Sequence, residues 1–111
     1  MLQPAYVVAA ALADGTSVLE QASTLNPDLI ILDISLGDMT GFEVARRLKQ
    51  AGIASKVIFL TVHENIDFVR AAFELGAAGY VFKSRISSDL VDAIDTISAG
   101  GQFSSADLAA I

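Results

Sequence analysis

Short apolar runs recur along the chain, and a polar residue follows each of the three strongest. These runs, at 29–32, 57–60 and 80–82, are apolar at every position. A strand without polar alternation is typical of a parallel sheet that helices cover on both faces. A weaker run at 6–10 ends in two alanines, which are poor strand formers, and it predicts a fourth strand.

Helical signals occupy the segments between these runs. Thr40 and Glu43 form a capping-box pattern before a helix, and Ser17 and Glu20 form another. Apolar residues at helical spacing, followed by glycines, predict two more helices, one from Asn65 and one from Ser87 or Ser88. Strands that alternate with helices through short links imply right-handed crossovers. The predicted fold is therefore an open parallel α/β sheet of the flavodoxin-like kind, flanked by helices.

Composition narrows the function classes. The 111 residues suit one domain, and no apolar run approaches the ~20 residues that a membrane helix needs. The net charge is −6 and the seven basic residues are scattered, so we expect no direct binding of nucleic acid by this chain. The chain has no cysteine, which excludes disulfides and thiolate metal sites and fits a cytoplasmic protein.

A carboxylate, a hydroxyl and an ammonium group directly follow the three strongest strands. They belong to Asp33, Thr61 and Lys83. The carboxyl ends of parallel strands lie along one edge of the sheet, where ligands bind. A carboxylate can attack a phosphoryl donor, and the other two groups can bind the oxygens of the product. Each residue alone could simply begin a loop, but together they predict a phosphate-accepting site.

Four segments extend this pattern along the chain. They read PDLIILD at 27–33, GFE at 41–43, LTVHE at 60–64 and GAAGYVFKS at 76–84. In this order and spacing they resemble the receiver domain of bacterial two-component response regulators. The segment TVHE at 61–64 and the ending AGGQF at 99–103 resemble most the corresponding segments of receivers that precede a LuxR-type helix-turn-helix output domain.

The resemblance implies a role for each candidate residue. Asp33 would be the phosphoacceptor for a sensor histidine kinase, Thr61 the switch hydroxyl, Lys83 the phosphate-binding lysine and Tyr80 the aromatic rotamer switch. The family also implies Mg²⁺, with Asp33 and the backbone carbonyl of Ser35 as inherited ligands. The protein would then be a signalling domain and not an enzyme, apart from self-catalysed phosphotransfer and dephosphorylation.

The sequence departs from the family at its amino-terminal side. A receiver begins with a further strand and helix, and an acidic pair at the end of that strand helps to bind Mg²⁺, whereas the run at 6–10 matches the family's second strand. We therefore expect weak metal binding. The run either leaves a gap in the sheet or pairs directly with 29–33, and the uncovered apolar surface predicts a homodimer or larger oligomer. Residues 1–103 would form this incomplete receiver, and 104–111 a linker or short helix toward an output domain.

Two alternatives stay open. A pseudo-receiver that dimerises without being phosphorylated is favoured by the missing acidic pair. A phosphatase of the haloacid-dehalogenase type, with Asp33 as nucleophile, would need a second aspartate where Ser35 stands, and this disfavours it. Near the predicted site, Val62 should narrow access to Asp33. His63 could gate the access of water to the phosphoryl group, but the sequence favours an exposed loop residue.

Overall fold

One five-stranded parallel sheet organises the chain in the computed structural model, which describes residues 6–8, 15–35 and 38–106. The strands are β1 (Tyr6–Val8), β2 (Leu29–Leu32), β3 (Lys56–Thr61), β4 (Gly79–Phe82) and β5 (Phe103–Ser104), and they lie in sequence order across the sheet. The helices are α1 (Gly15–Leu25), α2 (Gly41–Gln50), α3 (Ile66–Glu74) and α4 (Ile86–Ser98). A short 3₁₀ turn, Lys83–Arg85, precedes α4. The predicted open parallel α/β sheet is confirmed.

Helices cover both faces of this sheet. Ile30 and Phe59 lie in one buried cluster with residues of α1, α2 and α3, whereas Ile31 and Ile58 lie in a second cluster with residues of α4. Because successive side chains of a strand point to opposite faces, a sheet buried on both sides requires apolar residues at every position. None of the four helices in the described residues has the length and apolar content needed to cross a membrane.

The first strand pairs directly with the second. In the parallel register Tyr6 lies beside Leu29 and Val8 beside Ile31. Of the two alternatives for the run at 6–10, direct pairing is the one observed. Residues 9 and 10 of that run lie outside the described residues.

The two predicted capping boxes have different outcomes. Thr40 caps α2, with its hydroxyl accepting a hydrogen bond from Glu43 N at 3.2 Å. The predicted start of α1 at Ser17 is wrong, since this helix already includes Gly15. The reason is a cap from elsewhere in the chain: the carboxylate of Asp38 accepts hydrogen bonds from the first N–H groups of α1.

The short strand β5 was not predicted from the sequence, and a polar cluster holds the residue that follows it. Ser105 Oγ accepts a hydrogen bond from Phe82 N at 3.1 Å and donates one to Asp89 Oδ2 at 2.7 Å. Arg85 Nε lies 3.1 Å from the same carboxylate oxygen. Residues 103–106 therefore contact the sheet and α4. The remainder of the segment predicted to be a linker or short helix, 107–111, lies outside the described residues.

Asp89 is one of two buried polar or charged residues in the described part of the chain, with 7% of its surface exposed. The hydrogen bond from Ser105 holds the pKa of Asp89 below its usual range, against the opposing effect of burial. A carboxylate with a lowered pKa stabilises the fold fully above its unfolded pKa, and this contribution is lost as the pH falls through the folded pKa.

We expect Asp89→Asn to lower the free energy of unfolding by about 1–3 kcal/mol at neutral pH, because the ionised acceptor is lost. The difference from wild type should shrink in acid, as the pH falls below the unfolded pKa of about 3.9 and through the lowered folded pKa of Asp89. Urea unfolding of wild type and variant at neutral pH and in acid measures this difference in the free energy of unfolding. Asp92→Asn, an exposed change on the same helix, is the matched control and should shift stability by less than about 0.5 kcal/mol. A difference that grows in acid would contradict this account.

Candidate functional site

Asp33 and Lys83 form an ion pair at the carboxyl edge of the sheet. Each follows the last residue of its strand, and β3 lies between the two strands. Lys83 Nζ is 2.6 Å from Asp33 Oδ2, with side-chain exposures of 39% and 18%. An ion pair this open to solvent adds only about 0–1 kcal/mol to stability. The ion pair therefore contributes little to the stability of the fold. It instead places a carboxylate and a cation where a ligand from solvent can reach both.

The loop after β2 orients the other carboxylate oxygen. Ser35 N donates a hydrogen bond to Asp33 Oδ1 at 3.0 Å. The loop turns back at once, with an antiparallel bridge between Ser35 and Thr40 and a hydrogen bond from Gly41 N to Ile34 O. A Cβ atom at position 41 would lie 2.3 Å from Asp33 O, so this close approach requires glycine. Both oxygens of the carboxylate are thus engaged, one by the backbone and one by an ammonium group.

Thr61, the last residue of β3, lies at the same edge but is fully buried. In the sheet register it pairs with Phe82, the residue before Lys83. Its hydroxyl oxygen accepts a hydrogen bond from His63 N at 3.1 Å. The Thr61 hydroxyl is thus engaged with the loop that follows its own strand, while Asp33 and Lys83 contact each other.

Tyr80 is fully buried under this edge. Its hydroxyl donates a hydrogen bond to His63 O at 2.7 Å. Burial raises the pKa of Tyr80 to about 12, and a hydrogen bond with the side chain of Thr61 acts in the opposite direction. The predicted switch residues Thr61 and Tyr80 therefore share a partner, since both are hydrogen-bonded to the backbone of His63.

Aromatic packing places His63 differently from the exposed loop residue that the sequence favoured. Its ring stacks on Phe68 with centroids 4.6 Å apart and planes 14° from parallel, and the residue is half-buried. Phe68 lies in the first turn of α3, so the contact depends on how that helix packs against the sheet. Val62 does extend into solvent near the site, with 68% of its surface exposed.

A second contact missed from the sequence joins the loops after β3 and β4. Ser84 Oγ donates a hydrogen bond to Glu64 Oε2 at 2.8 Å, next to Lys83 in the chain. The two residues lie 20 positions apart and show no shared pattern. Only the positions of the strand ends in the sheet bring them together.

The residues expected to hold Mg²⁺ form a partial ligand set. The described residues contain no group of three or more His, Cys, Asp or Glu side chains that could hold a metal ion. At this edge they offer the Asp33 carboxylate and the Ser35 backbone carbonyl, and the carboxylate already accepts from Lys83 and from Ser35 N. Mg²⁺ requires near-octahedral oxygen ligands. On their own these groups do not fit a stable magnesium site.

Comparison with known proteins shows that this chain is similar to signalling domains. The sequence profile of the response regulator receiver domain matches residues 1–95. The transcriptional regulatory protein DegU of Brevibacillus brevis is 30% identical over 92% of this chain, and the nitrate/nitrite response regulator protein NarP of Escherichia coli is 33% identical over 84%. The chain spans 43% of the length of each of these relatives.

A solved structure gives the same assignment. The two-component response regulator of the LuxR family from an Aurantimonas species is 35% identical, with a TM-score of 0.81, and the match covers 88% of this chain and 70% of that one. The profile match, the sequence relatives and the shared fold agree with the carboxylate and lysine at the strand ends. The chain belongs to the response regulator receiver domain family.

Proposed function

We propose that this chain accepts a phosphoryl group on Asp33 from a sensor histidine kinase and transmits the change to an output or dimerisation face. The ion pair between Asp33 and Lys83 is the observation that carries the proposal. It joins a carboxylate nucleophile to a cation that can also bind the product. Membership of the receiver family supports the same chemistry. The rest of the signalling protein, including any DNA-binding output domain, belongs to the proposal as well.

The proposed reaction forms one bond and breaks one. An Asp33 carboxylate oxygen attacks the phosphorus of a phosphohistidine, the P–N bond breaks, and the departing imidazole takes up a proton. The product is an acyl phosphate. Phosphoryl transfer depends mainly on positioning and charge neutralisation. Lys83 supplies both, since its ammonium group already lies 2.6 Å from the carboxylate and can bind a phosphoryl oxygen after transfer. Receiver domains bind Mg²⁺, but no step proposed here depends on the ion.

The hydrogen bonds of Thr61 suggest how the site would signal. A phosphoryl group adds about −1.5 to −2 charges and three acceptor oxygens. If the Thr61 hydroxyl donates to one of them, its contacts with His63 and Tyr80 change. His63 stacks on Phe68 of α3, and Tyr80 belongs to β4. The responding face would comprise α3, β4 and α4.

A second candidate function is a phosphorylation-independent interaction module that acts through a homodimer or larger oligomer. Two observations favour it. The described residues contain no group of three or more His, Cys, Asp or Glu side chains that could hold a metal ion, and Tyr80 is fully buried with its hydroxyl hydrogen-bonded to His63 O. In this case Asp33→Asn would leave oligomeric state and partner binding unchanged.

Incubation with phosphoramidate and Mg²⁺ should add one phosphoryl group to the wild-type chain, measured by intact-protein mass spectrometry. Asp33→Asn should remain unmodified because the nucleophile is gone, and the exposed Asp67→Asn should react like wild type. Lys83→Met should react roughly 10–100-fold more slowly, the effect of losing a charge-assisted hydrogen bond. An unmodified wild-type chain would contradict phosphoacceptance and leave the interaction module as the function.

Tyr80→Phe should lower the free energy of unfolding by about 0.5–1.5 kcal/mol near neutral pH, because the hydrogen bond to His63 O is lost. A raised pKa stabilises the fold below the unfolded value of about 10, and this contribution falls as the pH rises toward 12. In chemical denaturation the stability advantage of wild type over the variant should therefore shrink and then reverse between these pH values. A wild-type advantage that grows in base would contradict the assignment. Tyr80→Leu also removes the ring, so comparing it with Tyr80→Phe separates the contribution of packing from that of the hydrogen bond.

A further inference from the structure

The loop between Asp33 and α2 is tied to the start of α1 by a side chain with no part in the chemistry above. Asp38 Oδ1 accepts a hydrogen bond from Gly15 N at 2.6 Å. Asp38 Oδ2 accepts one from the Thr16 hydroxyl at 2.7 Å and one from Thr16 N at 3.3 Å. We call these three contacts between Asp38 and residues 15–16 the clasp.

Close packing beside the clasp holds the same two segments together. A Cβ atom at Gly15 would lie 2.5 Å from Met39 Cγ and 2.7 Å from Val44 Cγ2. The start of α1 therefore lies directly against the residue that follows Asp38 and against the first turn of α2. The side chains of the clasp are exposed, and they lie beside the close contact that the buried Gly15 makes with Met39 and Val44.

A short path connects the clasp to the nucleophile. Met39 and Thr40 follow Asp38, and Thr40 is bridged to Ser35. The backbone N–H of Ser35 donates directly to Asp33 Oδ1. Each link is a covalent bond or a described backbone contact, so the position of Asp38 constrains the donor that orients the Asp33 carboxylate.

Electrostatics favours the clasp with Asp38 ionised. The hydrogen bonds from the Thr16 hydroxyl and Gly15 N hold the pKa of Asp38 below its usual range. A carboxylate at the start of a helix also interacts favourably with the helix dipole. Asp38 caps the amino terminus of α1 although it lies 22 or more positions away in the sequence. This explains why α1 begins before the capping-box pattern at Ser17 and Glu20.

We propose that Asp38 is a positioning residue for phosphoryl transfer, which holds Ser35 N–H against Asp33 so that the carboxylate meets the donor in a fixed orientation. The inference rests on the proposed function of Asp33. Phosphoryl transfer needs the attacking and leaving oxygen or nitrogen atoms nearly in line with phosphorus. Displacement of a reacting group by about 1 Å can cost up to about 100-fold in rate.

The test compares rates of acyl-phosphate formation from phosphoramidate in wild type, Asp38→Asn, Thr16→Val and Thr16→Ser. Asp38→Asn and Thr16→Val should each slow the reaction roughly tenfold, and the double variant should be no slower than either, because both changes break one unit. Thr16→Ser keeps the hydroxyl and should restore the wild-type rate. Asp92→Asn, remote and exposed, controls for the loss of a negative charge.

A second readout separates positioning from a purely structural role. The backbone amide resonance of Ser35 in ¹H–¹⁵N spectra should shift in Asp38→Asn and Thr16→Val under conditions where both are fully folded, and should return in Thr16→Ser. If these variants only melt at a lower temperature, and the rate of acyl-phosphate formation and the Ser35 resonance stay unchanged, the proposal is overturned.

The remaining outcomes are also decisive. If wild type is phosphorylated and both clasp variants react at its rate, the positioning role fails and the proposed function stands. If Thr16→Ser is as slow as Thr16→Val, the hydroxyl is not the cause and the proposal is overturned. If wild type accepts no phosphoryl group, the proposed function itself fails, and with it the role assigned to Asp38.

Discussion

The ion pair between Lys83 and Asp33 can form only if two strands that are not neighbours end at the same edge of the sheet. The sheet meets this condition because β2, β3 and β4 run parallel in register, with Leu32 beside Phe59 and Thr61 beside Phe82. The apolar core of both faces therefore does more than stabilise the fold. It fixes the distance between a carboxylate and an ammonium group that are 50 residues apart in sequence.

Each loop that carries a site residue is in turn held by a polar contact from a distant segment. The clasp holds the loop after β2, the hydrogen bond between Ser84 and Glu64 joins the loops after β3 and β4, and Ser105 binds the last N–H group of β4. Loops are usually the mobile parts of a domain. Here these contacts connect the loops of the site to α1, α4 and the chain beyond β5.

The sequence predicted what burial and strand polarity dictate. Strands covered on both faces must be apolar throughout, so 29–32, 57–60 and 80–82 were recognisable, and so were the polar residues at their ends. The two-residue strand β5 is too short to show periodicity. The cap from Asp38, the stacking of His63 on Phe68 and the pairing of Ser105 with Asp89 join residues without a common local pattern. Only the docking of whole elements creates them, and the start of α1 was misplaced for this reason.

A crystal structure of the chain with beryllofluoride and Mg²⁺ would test the central claim most directly, because this anion mimics a phosphoryl group. The account predicts beryllofluoride on an oxygen of Asp33, with Lys83 Nζ and the Thr61 hydroxyl each donating a hydrogen bond to it within about 2.5–3.2 Å. Lys83 and Thr61 directed into different regions, with no anion between them and Asp33, would contradict it.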